Sequence, residues 1–450
     1  MTERSAAQLD RVSGVLLGAA AGETLGGAEP GLWGPATAAG LATGRSDAER
    51  GHDASAGGAA ALVEAALVAV AGLRLDPAGS PPEAFWAAAA KRLAAADSQA
   101  GEAGLLWCAA VHHALVTGNL DVRVGLARLG ADRAEAWAAR LVEAESGSVD
   151  RVAGGDADAG EILLAAWAVI CATPVPAEEP REGRFRVQHL RDGLATADGG
   201  GVGAVTGSLL GAAYGGSAVP SAWRRTLHDG TGARAADLVA AAAEATGDPP
   251  PAPDYSFAGD QSALARHPHD ENVWMGGYKA LRKPPPGVDV LVSLCPVAAA
   301  DAPPGVERID VVLADTMPAA DNPNAAFVLH DTAGLIQALR AEGRTVLVHG
   351  VRAMNRTPAV ATAYAFRLYE LPVSAALGDV RQALLRAQVT DPLRDALAAM
   401  APVHEEPPAH RPILTRHDIL SEDRRASRGR RGQRAASDWP EGRSVGRLDQ

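Results

Sequence analysis

The stretch Thr345-Val-Leu-Val-His-Gly-Val-Arg-Ala-Met-Asn-Arg-Thr-Pro358 decides the fold of the C-terminal part of this 450-residue chain. Apolar residues run up to a histidine, a short loop follows, and an Ala-rich helical pattern begins at the end of the stretch. A strand–loop–helix turn of this kind aims successive backbone N–H groups and a helix N-terminus at one point, which favours a bound anion. The guanidinium of Arg356 matches the spacing of two phosphate oxygens. The stretch therefore predicts a phosphate-binding loop.

The same loop resembles the signature loop of cysteine-dependent protein phosphatases, particularly the dual-specificity class, in which His-Cys is followed by five residues, Arg, and Ser or Thr. His349, Arg356 and Thr357 stand on that pattern, but Gly350 occupies the position of the cysteine. In that family the cysteine attacks phosphorus as a thiolate. The resemblance therefore implies phosphate recognition without thiolate catalysis. The phosphate-binding positions that it implies are His349, Val351, Arg352, Ala353, Met354, Asn355, Arg356 and Thr357.

The resemblance extends from His267 to about Ala387 and includes Trp274-Met-Gly-Gly-Tyr278 as part of the opening strands. Strand-like runs alternate with helical patterns, which predicts an α/β domain with a small, mainly parallel sheet. The runs are residues 288–294, 309–313 and 346–349, and the helical patterns are residues 325–341 and 358–368. The family's general acid is an Asp about thirty residues ahead of the nucleophile. Asp315 and Asp321 both lie within range, and Asp315 is preferred as the vestigial acid because it directly follows a predicted strand.

Residues 1–246 are predicted to form an all-α helical bundle, because Ala, Leu and Val recur at helical spacing between Gly, Pro and Asp breaks. Gly14, Gly18 and Gly22 indicate a close helix crossing. The segments are residues 9–21, 57–73, 82–95, 103–116, 132–145, 161–171, 202–214 and 233–243. A Pro-rich linker is expected at 247–266, the phosphatase-like domain at 267–400, and a disordered Arg-rich tail at 401–450.

Two segments of this first domain resemble the ADP-ribosylglycohydrolase family: Gly14–Gly26 and Ala197–Gly215. The second segment is followed by Ser217–Trp223, which fits the same family pattern. The resemblance implies a helical bundle that holds two Mg²⁺ ions on carboxylates from an early and a late motif. In the late motif, glycines at 200 and 201 replace an Asp and a Thr. The remaining metal candidates are Asp53, Asp198 and Glu23, which are too few for two Mg²⁺ ions.

Other candidate ligands have simpler structural interpretations. Asp156 and Asp158 could form a relocated metal pair, but an N-cap before the following helix is the favoured interpretation. His112 and His113 are adjacent on a helix and so do not share a face. Three tryptophans are expected to pack helices together: Trp107, Trp137 and Trp167.

Net charge, cysteine count and the length of apolar stretches exclude several classes of function. A net charge of −12 and a pI near 5.5 argue against general nucleic-acid binding. The three cysteines have no paired spacing, which argues against a disulfide framework and fits a reducing, cytoplasmic location. No apolar stretch is long enough to predict membrane insertion. The scarcity of lysine beside abundant Arg and Ala indicates a GC-rich, bacterial genome.

Three functional hypotheses follow. The favoured one is a pseudoenzyme, in which an ADP-ribosylglycohydrolase-like domain is fused to a phosphatase-like domain and binds ADP-ribosylated or phosphorylated ligands without efficient turnover. The second is an active, metal-dependent hydrolase that removes ADP-ribose from modified proteins or nucleic acid. The third is an interaction scaffold.

Overall fold

The structure of the chain is a computed structural model that describes residues 4–25, 27, 29–45, 57–75, 81–93, 98–147, 157–197, 199–247, 254–298, 301 and 303–401. Asp53, Asp156 and Asp198, which the sequence singles out, lie outside these described residues, as does the Arg-rich tail from residue 402 onward.

The N-terminal region is helical, which confirms the prediction of an all-α bundle. Most helices coincide with predicted segments to within a few residues at each end. Its helices are α1 (Ala6–Thr24), α2 (Pro35–Arg45), α3 (Gly57–Gly72), α4 (Glu83–Leu93), α5 (Ser98–Thr117), α6 (Ala131–Glu145), α7 (Ala159–Ala172), α8 (Gln188–Ala197), α9 (Gly200–Tyr214), α10 (Ser221–Thr226) and α11 (Ala235–Ala245).

The central feature of the bundle is the contact between α1 and α9. A Cβ added at Gly18 would lie 2.1 Å from the carbonyl oxygen of Gly207, and one added at Gly207 would lie 1.9 Å from the carbonyl oxygen of Gly18. The same reciprocal approach recurs one turn away in each direction, between Gly14 and Gly211 and between Gly22 and Gly203. Glycines every fourth residue on both helices therefore allow the two backbones to touch.

The C-terminal region is the predicted α/β domain with a small, mainly parallel sheet. The strand order is β1-β2-β5-β3-β4, and all neighbours are parallel except β1 and β2. The strands are β1 (Leu264–His267), β2 (Asp270–Gly276), β3 (Val290–Ser293), β4 (Glu307–Asp310) and β5 (Val346–His349). The helices are α12 (Tyr278–Arg282), α13 (Ala325–Ala341), α14 (Arg356–Tyr369), α15 (Val373–Ala383) and α16 (Asp391–Met400).

Both faces of the sheet are covered, as parallel strands require. Val346 and Val348 point toward the core that contains α13 and α14, whereas Leu347 points to the opposite face with Leu281 of α12. All four residues of β5 are buried. The C-terminal end of the central strand β5 is therefore held in a fixed position, and the residues that follow it lie at the C-terminal side of the parallel strands.

The two regions share an interface with an aromatic core. Phe185, before α8, is 1% exposed and meets Phe327 of α13 edge-to-face with a ring separation of 5.6 Å. Beside it, the side chain of Asn324 donates to the carbonyl of Tyr214 at 2.6 Å and to the hydroxyl of Ser217 at 2.8 Å. This packing fixes the helical bundle against the N-terminal end of α13.

Helix α10 adds charged contacts to the same interface. The Arg225 side chain reaches Glu307 of β4 at 2.5 Å and Glu342 after α13 at 2.7 Å. The neighbouring Arg224 is buried and donates to the carbonyl of Asp310 at 2.9 Å. The backbone N–H of Ser221 donates to the Asp331 carboxylate at 2.9 Å. The helical bundle therefore contacts β4, the strand that leads to Asp315.

Three features differ from the sequence expectation. Six helices were not predicted: α2, α8, α10, α12, α15 and α16. Strand β4 ends at Asp310, so Asp315 does not directly follow a strand. The reason is that β4 is an edge strand, which in the described sheet pairs only with β3. The last backbone hydrogen bond between the two strands runs from the N–H of Val311 to the carbonyl of Ser293. Strand β1 begins at Leu264, within the segment expected to be linker.

No helix in the described part of the chain combines the length and the apolar character needed to span a bilayer.

Candidate anion-binding site

The candidate site begins where β5 ends at His349 and closes where α14 begins at Arg356. Asn355 flanks the helix without capping it through its side chain. Within the part of the chain that the structure describes, the N–H groups of Ala353, Met354 and Arg356 donate to no protein acceptor. A helix N-terminus whose N–H groups have no protein acceptor carries a partial positive charge, so the electrostatic potential of the loop favours a bound anion.

Neighbouring segments hold the loop through its carbonyl and side-chain oxygens. The N–H of Tyr278 donates to the Val351 carbonyl at 2.9 Å, and the N–H of Gln388 donates to the Met354 carbonyl at 2.6 Å. The N–H of Thr390 donates to Oδ1 of Asn355 at 2.9 Å. Because the loop oxygens are engaged by these neighbours, its shape does not depend on a ligand.

One residue of the loop carries backbone strain. Ala353 adopts a φ of 53°, in the left-handed region, and its methyl group is 3% exposed. A left-handed conformation costs a non-glycine residue roughly 1–2 kcal/mol. Such strain persists where the surrounding structure imposes it and is frequent at ligand-binding loops. Arg352 precedes this residue and is half-buried.

Arg356 is the central side chain of the site and is 7% exposed. Its Nη1 donates to the carbonyl oxygens of Leu294 at 2.5 Å and Leu313 at 3.2 Å, which follow β3 and β4. Its Nη2 lies 3.3 Å from the carboxylate of Asp315. Among the described residues, Nε has no hydrogen-bond acceptor, and the atom is not fully buried. The Nε–Nη2 edge is therefore the part of the fork that can receive an anion.

Asp315 lies at the rim of the loop, and its side chain is 48% exposed. One carboxylate oxygen faces Arg356, and the other accepts a hydrogen bond from Nδ2 of Asn355 at 2.7 Å. Asp321, the second candidate for the acid, lies in a short 3-10 turn and lines the cleft between the two regions instead. The structure therefore places Asp315, and not Asp321, at the loop.

His349 supports the base of the loop. It is completely buried, and its Nε2 lies 2.8 Å from the hydroxyl of Ser293, its register partner on β3. Burial lowers the pKa of His349 to about 4, with a smaller contribution from the positive charge of Arg356. The imidazole is therefore neutral near pH 7, and it positions the end of β5 without adding positive charge.

At Gly350 the structure leaves room for a side chain. The φ of this glycine is not in the left-handed region, so an L-residue can adopt its conformation. A Cβ added there would lie 3.1 Å from Oγ1 of Thr357 and would meet no other atom within 4 Å. That hydroxyl is buried and has no hydrogen-bond partner in the described structure. The hydroxyl of Thr357 could therefore donate to a polar side chain introduced at position 350.

Cys295 is the nearest cysteine to the loop among the described residues, and its thiol is buried. It lies two residues beyond β3 and is 4% exposed. Burial raises the pKa of its thiol to about 11, which the charge of Arg356 offsets only in part. The hydroxyl of the neighbouring Tyr255 donates to the Pro296 carbonyl at 3.0 Å. The thiol is therefore protonated and unreactive near neutral pH.

Of the metal candidates in the helical bundle, the structure describes only Glu23. Its two carboxylate oxygens accept hydrogen bonds from the N–H groups of Ala36 and Thr37, each at 2.9 Å. Glu23 thereby caps the N-terminus of α2. Among the described residues, no group of three His, Cys, Asp or Glu side chains could hold a metal ion.

The backbone at the late motif also departs from what a ligand-bearing motif needs. Gly199 and Gly200 both have positive φ, at 82° and 61°. A Cβ added at Gly201 would lie 2.8 Å from the Cβ of Ala59 in α3. A side chain at position 200 would therefore be strained by the backbone conformation, and a side chain at position 201 would be crowded by Ala59.

The remaining candidates have structural roles. Asp158 caps α7, since its carboxylate accepts from the N–H of Glu161 at 2.9 Å, which confirms the interpretation as an N-cap. His112 is buried and meets the ring of Trp86 edge-on at 5.9 Å. The three tryptophans lie between helices and donate to side chains on them: Trp107 to Ser208, Trp137 to Glu102 and Trp167 to Glu145.

Several contributors to the site could not be found by sequence reasoning. Ser293 is adjacent to His349 only because of the strand register, and the carbonyls of Leu294 and Leu313 carry no sequence signal. The role of Asn355 as a donor to Asp315 depends on the conformation of the loop, which motif spacing does not reveal.

Comparison with known proteins gives separate results for the two regions. The sequence profile of the ADP-ribosylglycohydrolase family matches residues 27–251. No curated protein matches the chain. Among solved structures, human DUSP28 covers 32% of this chain and 95% of its own, with 21% identity and a TM-score of 0.28.

Two other solved structures match over a similar share of the chain. The human tyrosine phosphatase-like serine/threonine/tyrosine-interacting protein covers 30% of this chain and 93% of its own, with 16% identity and a TM-score of 0.25. OH1, a tyrosine phosphatase from the Orf virus, covers 31% and 84%, with 23% identity and a TM-score of 0.25.

Proposed function

Because the chain belongs to the ADP-ribosylglycohydrolase family, we propose that it is a fusion of such a domain with a phosphatase-like domain and acts as a pseudoenzyme. It binds phosphorylated or ADP-ribosylated ligands without efficient turnover. The observation that carries this proposal is that Arg356, whose Nε–Nη2 edge meets only the half-exposed carboxylate of Asp315 among the described residues, stands in a loop with Gly350 at the nucleophile position.

Anion recognition rests on three features of the loop that act on the same point. The open N–H groups at the start of α14 provide donors, the helix end provides partial positive charge, and the Nε–Nη2 edge of Arg356 provides a planar fork. Charge-assisted hydrogen bonds of this kind contribute about 1.5–3 kcal/mol each. The loop is held by Tyr278, Gln388 and Thr390, so little of this energy is spent on ordering it.

The absence of turnover rests on the chemistry of phosphoryl transfer through a cysteinyl phosphate. That route needs a thiolate to form a bond to phosphorus while the leaving oxygen takes a proton. Gly350 supplies no sulfur, and Cys295 is buried with a raised pKa. Both oxygens of Asp315 already face donors, Arg356 and Asn355. Neither half of the reaction therefore has a group positioned to perform it.

In the helical domain, the proposal rests on the same kind of loss. Gly200 and Gly201 stand where the family motif has Asp and Thr, and Glu23 is engaged as the cap of α2. Mg²⁺ needs several oxygen ligands in a near-octahedral arrangement. Two Mg²⁺ ions would therefore lack ligands in this chain.

The test is binding without hydrolysis. Inorganic phosphate and ADP-ribose should each raise the melting temperature of the purified chain, by an amount that increases with ligand concentration. Arg356→Lys keeps the charge but loses the fork, and the phosphate-dependent shift should fall by more than half. Arg340→Lys is the matched control, because Arg340 pairs with Asp270 at the opposite end of the sheet.

Two outcomes would contradict the proposal. One is hydrolysis of an aryl phosphate that disappears in Arg356→Lys. The other is release of ADP-ribose from a modified protein together with stoichiometric Mg²⁺ or Mn²⁺ that is lost in Asp198→Ala. The second outcome would instead establish the active, metal-dependent hydrolase.

A further inference from the structure

Asp315 occupies the rim of the loop in a way that does not suit a proton donor. Its two oxygens face the Nη2 of Arg356 at 3.3 Å and the Nδ2 of Asn355 at 2.7 Å. Both partners are donors, so the carboxylate acts here as an acceptor. It therefore holds one of the two Arg356 atoms that a bound phosphate would use.

We propose that Asp315 is the internal anion of the empty loop and that an incoming phosphate displaces it from Arg356. This inference rests on the proposed anion-binding function and names the residue that regulates it. In the unliganded protein the carboxylate faces Nη2 of Arg356 and accepts a hydrogen bond from Asn355. In the bound protein the phosphate takes over Nη2, and Asp315 turns outward into solvent.

The surroundings of Asp315 permit such an exchange without moving the chain. The preceding residue, Ala314, is fixed through both backbone groups: its N–H donates to Oδ1 of Asn322 at 2.8 Å, and its carbonyl accepts from Nδ2 at 2.9 Å. The Asp315 side chain itself is half-exposed. A change of side-chain rotamer is therefore sufficient to release Arg356.

Arg356 does not need Asp315 to remain in position. Its Nη1 is bound to the carbonyl oxygens of Leu294 and Leu313, and the residue is buried. Loss of the carboxylate therefore leaves the fork in place and removes only a negative charge. The expected consequence is tighter anion binding, because the ligand no longer competes with a carboxylate and no longer meets its repulsion.

The charge of the ligand provides a sharper criterion. The repulsion from a neighbouring carboxylate doubles when the ligand carries two charges in place of one. Asp315→Asn should therefore tighten the binding of sulfate, a dianion, by about tenfold at low ionic strength, and that of dimethyl phosphate, a monoanion, by about threefold. Asp315 thus sets the charge selectivity of the loop.

The experiment measures the affinity of both probes by titration calorimetry for the wild type, Asp315→Asn and Asp321→Asn. Asp321 is the matched control, because it lies six residues further along the chain and does not contact Arg356. Its removal should change both affinities by less than about twofold, since Asp321 has no contact with Arg356 and its charge is screened by solvent and salt. Asp315→Ala repeats the charge removal in case the amide makes new contacts.

Unchanged or weakened sulfate binding in both Asp315 variants would overturn the inference and leave the proposed function standing. Equal gains for sulfate and dimethyl phosphate would overturn the electrostatic account. If neither probe binds the wild type or the variants, the proposed anion-binding function fails first, which separates the two results.

Discussion

Gly350→Cys is the most direct perturbation of the loop, because it adds a thiol beside the buried hydroxyl of Thr357 and the N-terminus of α14. The backbone at this position is not left-handed, and a Cβ there meets one atom, the hydroxyl of Thr357 at 3.1 Å, which must shift by a few tenths of an ångström. A sulfur one bond further out would lie beside that hydroxyl and at the N-terminus of α14. We expect the new thiol to ionise readily.

The size of the shift follows from the contacts. A charge-assisted hydrogen bond from Thr357 contributes about 2 kcal/mol to the thiolate, and the helix N-terminus contributes about 1 kcal/mol. The opposite charges of Arg356 and Asp315 lie together and largely cancel. A total of about 3 kcal/mol corresponds to about two pKa units. The pKa of the new thiol should therefore fall from about 8.5 to about 6.5.

The assay is the pH dependence of alkylation by iodoacetamide, read at each cysteine by mass spectrometry. Reading each site separately distinguishes the new thiol from the exposed Cys171, and the other two native thiols are buried, which raises the pKa of Cys108 to about 12 and that of Cys295 to about 11. Thr357→Val in the same background removes the hydroxyl donor and should raise the pKa of the new thiol by about one to one and a half units.

A thiol at position 350 that titrates at 8.5 or above would refute this reasoning, because it would mean that the N–H groups and the hydroxyl do not face it. The same variant should hydrolyse an aryl phosphate whose phenolate leaves without protonation. The thiolate then forms the bond to phosphorus, and water later cleaves the cysteinyl phosphate. Loss of that activity in Arg356→Lys would attribute it to this loop.

Three other predictions concern the framework. Gly18→Ala places a methyl group 2.1 Å from the Gly207 carbonyl oxygen, so it should lower the free energy of unfolding by about 3 kcal/mol. The control is Gly378→Ala, whose Cβ meets nothing within 4 Å and which should raise the free energy of unfolding by up to about 1 kcal/mol. Denaturant titration measures both values, and equal effects would contradict the close crossing of α1 and α9. Burial raises the pKa of Asp10 from 3.8 to about 6, so the folded protein holds a proton that the unfolded chain releases between these pH values. The free energy of unfolding should therefore decline by up to about 3 kcal/mol as the pH rises from 4 to 6. Asp10→Asn should flatten that decline, and an unchanged pH profile would exclude Asp10 as its cause. Phe185→Ala should cost about 3–5 kcal/mol and separate thermal unfolding into two transitions, whereas a single, merely shifted transition would mean that the interface survives without this ring.

Sequence reasoning predicted the elements that position the loop. Strand β5 and helix α13 have the predicted boundaries, because a short apolar run and a long helical repeat are each bounded by polar residues or turns. The open helix N-terminus followed from the same pattern. Local signals were sufficient for these features, since each depends on residues that are close along the chain.

Features that depend on distant contacts were not predictable. The glycines of α1 were recognised as a crossing, but their partners on α9 lie about 190 residues away and are known only from the packing. Arg225 finds Glu307 and Glu342 at separations of 82 and 117 residues. The resemblance implied Glu23 as a metal candidate, whereas its hydrogen bonds to the start of α2 depend on a helix that was not predicted.

The two glycine-for-ligand replacements in this chain differ physically. Gly350 has a φ outside the left-handed region, and a Cβ there would meet one atom, the unpaired hydroxyl of Thr357, so the backbone is compatible with a cysteine. Gly200 has a φ of 61°, follows a second left-handed glycine, and precedes Gly201, where a Cβ would press on Ala59. A single substitution therefore suffices to test the first site. At the second site, a restored Asp would be strained and a restored Thr crowded, so the helical domain should regain metal binding only if α3 and the start of α9 move apart.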